Sequence, residues 1–378
     1  MPETDSVHDA TVHSPPHLPR PHFTGVQAIR FIAALLVVFS HVPSYIRDRG
    51  GLTAPSLPTG QLGVAVFFAI SGFVAVLTTQ HVRPNGARRF AYRRLARIVP
   101  LAWLVLTLKV VTGLLAPDVL ERFRPDGWYV LASYLFLPAR GGDGLVQPLY
   151  TVMWTLSFEL FFYGIVALAL AARRTPLTVV APTMTALACA SAFRTDPWPA
   201  FQFHADPYVL LFVIGMVFGH VATRTASART LAWGIVAVVV WTGAELVNPT
   251  HGIVLLPVAT VTLGVILLVE RWIPPRIVPS VDLLGDASYA LYLTHPIAGP
   301  ATVAVLAALL PSTTPWWLLG LAAAAVAVLV SIGTWFAVDR PLTRLFSDRL
   351  HSPSRQVRQF ARIEPRSTAQ QPPKTEGT

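Results

Sequence analysis

Charge is what this sequence has least of. Charged residues make up 13% of its 378 positions, where a soluble globular domain carries about a quarter. Lysine is nearly missing: Lys109 and Lys374 stand alone, so the excess of 29 Lys+Arg over 19 Asp+Glu is carried by arginine. The one cysteine, Cys189, excludes an internal disulfide and sits as a packing residue in an apolar run. No glycine-rich loop ending in Gly-Lys-Ser/Thr is present, and no constellation with metal-ligand spacing stands out. Neither a nucleotide-cradling loop nor a resident metal or cofactor is therefore expected. The first 24 residues hold prolines at 2, 15, 16, 19 and 21 and no apolar stretch of the kind a signal peptide needs. His8, His13, His17 and His22 fall in this stretch, where a disordered polar tail is the better reading than a metal site.

What fills the space left by charge is hydrocarbon. Hydrophobic residues are 53% of the chain, and a spanning helix needs about 20 of them in succession. Runs of that kind lie near 25–43, 60–79, 98–116, 154–172, 176–193, 206–222, 229–246, 252–270, 283–310 and 315–338. The expected fold is an all-α integral membrane protein, one bundle of about ten transmembrane helices. The shorter stretch at 127–138 reads as re-entrant or interfacial. With the N-terminus inside, Arg83, Arg88, Arg89, Arg93, Arg94, Arg97, Arg173, Arg174, Arg224, Arg229, Arg271, Arg276 and the basic C-terminal tail all face the cytoplasm. Only Arg47, Arg49, Arg122, Arg124, Arg140 and Arg194 face out. The positive-inside rule then places both termini in the cytoplasm, and it accounts for the basic balance without nucleic acid. Residues 1–24 and 347–378 read as disordered cytoplasmic tails flanking a transmembrane domain at 25–346.

Ionisable groups inside a bilayer are costly and mark function by default. Arg30 and His41 are eleven residues apart, which puts them within roughly 20° of one helix face and about 16 Å apart along it. The alternative is interfacial anchoring at the two ends. Pro43 is expected to close that helix. Glu159, five residues into a span that starts outside, falls at the depth of His41, where a carboxylate beside an imidazole would make a general base. Its alternative is a Glu held by Tyr163 or Lys109. Arg88, Arg89, Arg93, Arg94 and Arg97 form a cluster at the cytoplasmic mouth of the third span, suited to phosphate or to a topology signal touching anionic lipid. Ser288, Tyr292 and His295 share a face of the ninth span, lining a cavity or bonding between helices. Ser71 and Gly72 read as helix packing. Glu245, near an outer helix end, is assigned no role.

Six stretches in order, Arg30-x10-His41, "GVAVFFAISGF", "RRLARIVP", "MWTLSFELFFY", "SYALYLTHP" and "VDRPL", resemble the acyltransferase-3 family of bacterial membrane O-acyltransferases. The likeness covers roughly residues 25–342, and its start looks most like members that decorate exopolysaccharides and other surface glycans. Asp339 stands where the family often has glutamate. The resemblance implies transfer of an acyl group, commonly acetyl, from cytoplasmic acyl-CoA to a hydroxyl. Arg30 and His41 would be the essential pair, Glu159 the acidic partner, and Arg94 and Arg97 with Arg93 the coenzyme side. Tyr163, Ser288, Tyr292 and His295 are the expected cavity lining. The acceptor is a surface glycan, or alternatively a secondary-metabolite sugar or macrolide hydroxyl. A polytopic transporter is the competing class, although no symmetric pair of broken helices is visible. Trp128, Tyr129, Trp198 and Phe201 on the outer loops are candidates for stacking on sugar, or for interfacial anchors.

Overall fold

Every apolar run becomes α-helix, because a backbone in hydrocarbon has no water to bond and must satisfy its own N–H and C=O groups. The computed structural model of the chain describes residues 23–80, 86–116, 126–194 and 197–348. Its helices are α1 (Thr24–Gly50), α2 (Thr59–Thr79), α3 (Gly86–Leu115), α4 (Gly127–Tyr134), α5 (Trp154–Ala171) and α6 (Pro176–Ser191). They continue as α7 (Leu210–Ala222), α8 (Ala228–Val247), α9 (Leu255–Val269), α10 (Val278–Leu309), α11 (Trp316–Thr334) and α12 (Arg340–Asp348). The expected tails lie, except at their inner ends, outside the described residues.

Among the described residues, seven helices are long and apolar enough to cross a membrane: α1, α2, α3, α5, α8, α10 and α11. Three other expected spans coincide with the shorter apolar segments Pro176–Ser191, Pro207–Ala222 and Leu255–Val269. Proline near each start sets where these begin: Pro176, Pro207 and Pro257 occupy first-turn positions, where a missing N–H costs nothing. α4 has eight residues, about 12 Å of helix, and is too short to cross. Large apolar side chains such as Leu168, Ile235, Val239 and Leu329 point outward and are well exposed, as a lipid-facing surface requires.

α1 organises the bundle. Its first N–H groups, orphaned as in any helix, are taken by Glu270, which accepts from the backbone of Thr24 at 2.6 Å and of Gly25 at 2.7 Å. Negative charge at that end also suits the helix dipole. Pro43 does not close the helix; α1 runs through it to Gly50 and ends at Gly51 in the left-handed region, φ 63°. Burial of Val42, Tyr45 and Ile46 beside it outweighs the hydrogen bond that proline removes.

α10 lies parallel to α1 along nearly its whole length. Gln27 Nε2 donates to Asp286 Oδ1 at 3.1 Å, His41 meets His295, Gly299 leaves the space that the Tyr45 ring fills, and Gly50 lies beside Val303. The C-terminal half of α1 forms an apolar core with α10 and α11, while its N-terminal half joins a larger core with α2, α3, α5 and α7. Away from these, Glu245 is buried and accepts from the backbone of Thr250, His251 and Gly252, fixing the α8–α9 turn.

α2 and α7 interlock through glycine. A Cβ at Gly215 would fall on the Ala69 carbonyl oxygen, and one at Gly72 on that of Phe212. Both obstacles are backbone and cannot swing away. Gly215→Val is therefore expected to cost about 1–3 kcal/mol or more, read as a lowered unfolding temperature in detergent. An unchanged temperature would contradict this packing.

Candidate active site within the bundle

Between α1, α2, α3, α5 and α10 the helices leave a cavity of about 320 Å³. α1 contributes Gln27 and Arg30, α3 Arg94 and Arg97, α5 Thr155, Glu159 and Tyr163, and α10 Tyr289 and Tyr292. Phe67, Phe68, Phe73, Leu77 and other apolar groups complete the wall. The polar lining sits on one face of each helix, and the opposite faces meet the cores or lipid.

Each cation in the cavity has its own restraint. Arg97 donates to Asp339 at 3.0 Å and to the Asp286 carbonyl at 3.2 Å, and lies over the Tyr289 ring. Asp339 is only 2% exposed, so this is a partly buried ion pair. Arg94 donates to Thr78 Oγ1 at 2.8 Å and stacks over Phe90 and Tyr163. Arg30 donates to Gln27 Oε1 at 3.0 Å, and Gln27 in turn donates to Asp286. Glu159 accepts from Ser71 at 2.8 Å and Tyr163 at 2.7 Å. The expected Glu159–His41 contact is not formed: no hydrogen bond joins them, because the two hydroxyls already serve the carboxylate and it faces the cavity. Lys109 does not serve it either; its ammonium lies over the Tyr150 ring.

His41 stands outside the cavity, beyond the end away from Arg94 and Arg97. Phe67 and Tyr292, which line that end, meet edge-on at 5.8 Å between centroids. The Tyr292 ring reaches His295 at 6.1 Å, and His295 reaches His41 at 5.2 Å. Nδ1 of His41 is 2.9 Å from the Val37 carbonyl, which accepts only if that nitrogen carries the proton. The tautomer this selects leaves Nε2 as the basic nitrogen. Of the other expected site residues, Tyr163 and Tyr292 line the cavity, whereas Arg93, Ser288 and His295 do not. Ser288 donates to the carbonyl of Gly285 on its own helix. Towards the other face, Trp128 and Phe201 are exposed, Tyr129 is buried, and Trp198 lies beneath the Arg194 guanidinium.

The geometry joins a cationic cavity to a histidine pair inside a membrane bundle, and residues 23–336 match the family model described as an acyltransferase domain. The chain belongs to the acyltransferase-3 family. Among curated relatives, it is 30% identical to the exopolysaccharide production protein ExoZ of Rhizobium meliloti (strain 1021), over 75% of this chain and 90% of that protein. It is 24% identical to nodulation protein 10 of Rhizobium leguminosarum bv. viciae, over 86% of this chain and 94% of the other. No solved structure matches. The chain is thus a multi-pass membrane acyltransferase that transfers groups other than amino-acyl groups.

Among the groups that escaped the reading of the sequence as site residues are Ser71 and Tyr289 of the cavity wall and Asp339, the ion-pair partner of Arg97. Ser71 was hidden by Gly72; the pair reads as packing, yet only the glycine packs and the serine turns to Glu159. Tyr289 donates to the Ile98 carbonyl and carries Arg97 on its ring, a use visible only across helices. Asp339 did leave a signal, an acid at the end of an apolar run. Asp339→Ala would leave the Arg97 charge without its counterion and is expected to lower stability by about 2 kcal/mol or more. Asp339→Asn, which keeps the hydrogen bond, should lose less. Equal thermal unfolding of both variants and wild type would show that the pair holds nothing.

Proposed function

We propose that this acyltransferase moves an acyl group, acetyl by preference, from coenzyme A thioester on the cytoplasmic side to a hydroxyl of an exopolysaccharide or other surface glycan. The observation that carries the reading is the cavity itself, with arginines of α3 at one end and the Tyr292–His295–His41 series beyond the other. The name of the relative from Rhizobium meliloti supports the glycan acceptor. The one-sided distribution of arginine supports ten spans with both termini in the cytoplasm, the three short segments crossing with the seven long ones.

At about 320 Å³ the cavity is at the small end for ligand sites. It suits the extended pantetheine arm, with the nucleotide outside at the mouth. Arg94 and Arg97 engage the phosphates there, with Arg93 and the exposed Arg88 and Arg89 around them. Arg30, held by Gln27, places positive charge along the arm, which passes it and carries the thioester on towards His41. His41 Nε2 takes the proton of the acceptor hydroxyl as its oxygen attacks the thioester carbon. The sulfur leaves and collects that proton. Glu159 acts from the cavity wall, balancing the arginines and orienting Tyr163 under Arg94, and does not act on the imidazole.

His41→Ala is expected to lower transfer by about 10² or more. The measurement is mass spectrometry of surface glycans from a deletion strain complemented at matched membrane levels. Wild type should restore an alkali-labile acyl mass and the variant should not; equal restoration removes His41 from the mechanism. Arg94→Ala should raise the KM for acetyl-CoA by about tenfold, equivalent to one charge-assisted contact, with a smaller change in kcat. An unchanged KM would return the arginine cluster to topology alone.

A further inference from the structure

No carboxylate among the described residues forms an ion pair or hydrogen bond with His41. Among the described residues, its ring contacts are Tyr45, stacked at 6.2 Å on its own helix, and His295 of α10 at 5.2 Å. Its hydrogen-bonding neighbours are Val37 and Ser40. Of the described residues, α2 brings Phe67 to this core and the Thr59 hydroxyl to the Leu36 carbonyl, and α11 brings Leu319 and Ala323. On α10 the remaining titratable neighbour is Tyr292, whose hydroxyl is engaged by Thr155 and Val152. A general base that becomes cationic in such surroundings needs a partner, and elsewhere a carboxylate supplies it.

His295 has the form of that partner. It is fully buried, and its Nδ1 is 3.2 Å from the Leu291 carbonyl one turn back. That carbonyl selects the tautomer with the proton on Nδ1. Nε2 is then a bare lone pair at the tip of a side chain whose ring lies 5.2 Å from that of His41 on α1. This nitrogen is buried and has no hydrogen-bond partner, a condition that folded proteins rarely leave without a use.

We propose that His295 is a positioning residue for His41: its Nε2 lone pair stabilises the imidazolium that His41 becomes on taking the hydroxyl proton. The inference rests on the reading of His41 as the base. During transfer the acceptor O–H bond breaks, its proton goes to His41 Nε2, and the oxygen bonds to the thioester carbon. The C–S bond breaks, the sulfur keeps the electron pair, and it takes the proton from His41. His295 gains and loses no proton; it lowers the energy of the charged state between these steps.

The sign of the effect is determined by that role. Stabilising the cation raises the pH at which His41 titrates, so removing the acceptor lowers it. The test is an NMR titration from about pH 5 to about pH 9 of the full-length chain in lipid nanodiscs with isotope-labelled histidine. The His41 signal is the one absent from His41→Gln. His295→Phe is expected to lower its midpoint by about one pH unit, while His295→Gln, whose amide oxygen restores an acceptor, recovers most of the shift. Tyr45→Phe, which removes the unpartnered hydroxyl of the ring stacked on His41, should leave the midpoint in place. If His295→Phe does not fold, His295→Ala removes the same acceptor without the bulk of the ring.

The acid limb of acetyl transfer against pH should move downward with the NMR midpoint in His295→Phe. A midpoint shared by wild type and both acceptor-less variants, or one moved only by Tyr45→Phe, overturns the proposal. The outcomes separate from those of the parent reading. Normal transfer by His41→Ala would remove the base while the titration still reports the pair. Loss of transfer in His41→Ala with an immobile midpoint in His295→Phe would remove the pair alone.

Discussion

The parallel contact between α1 and α10 is the constraint on which the site depends. Lipid gives two helices no hydrophobic reason to associate, so they must approach closely or bond to one another. Here they do both. Gly285 and Gly299 let α10 approach the Gln27 backbone and the Tyr45 ring, and Gln27 bonds to Asp286 across the interface. Glu270 clamps the start of α1 from a segment some 245 residues away. With register set in this way, the N-terminal half of the pair gives Arg30 and Tyr289 to the cavity and the C-terminal half brings His41 onto His295. Sliding one helix by a turn would separate both sets together.

A second constraint is the cost of charge in a place with little water. The cavity holds three arginines and one carboxylate on its wall. None is bare: Asp339 restrains Arg97, Thr78 restrains Arg94, Gln27 restrains Arg30, and two hydroxyls serve Glu159. Only Arg97 has an ion-pair partner among these, so positive charge remains in the cavity for an anionic or carbonyl-bearing donor. Neutral hydrogen bonds orient the other two guanidiniums, one to Arg30 and two to Arg94, and among the described residues these engage a minority of their five N–H donors.

The fold was legible in the sequence because the bilayer sets a length and excludes charge, and both are one-dimensional properties. All ten apolar runs are helical, and the departures have local causes. Prolines shorten three segments, and Pro43 fails to end α1 because its neighbours are buried. Much of the cavity's polar lining was legible for the same reason: Arg30, Arg94, Arg97, Glu159 and Tyr163 are polar groups in stretches that lipid excludes. Ser71, Tyr289 and Asp339 were harder to see, since serine, tyrosine and a terminal acid have ordinary uses in any helix.

Helical spacing alone placed Arg30 and His41 on one face, since 3.6 residues per turn is a property of the backbone and needs no neighbour. Depth alone suggested Glu159 for His41, and there the inference stopped short. Depth is one coordinate, whereas contact requires the rotation of each helix and the identity of its neighbours as well. Tertiary packing set those: it turned Glu159 to Ser71 and Tyr163, put the ring of Tyr292 at the head of the series leading to His41, and gave His41 a second histidine. Composition and periodicity determined that this chain spans a membrane with charged groups inside it. Which charges meet was decided by close packing between helices, because hydrogen bonds and ring contacts act over a few ångströms and the order of residues along a chain does not specify them.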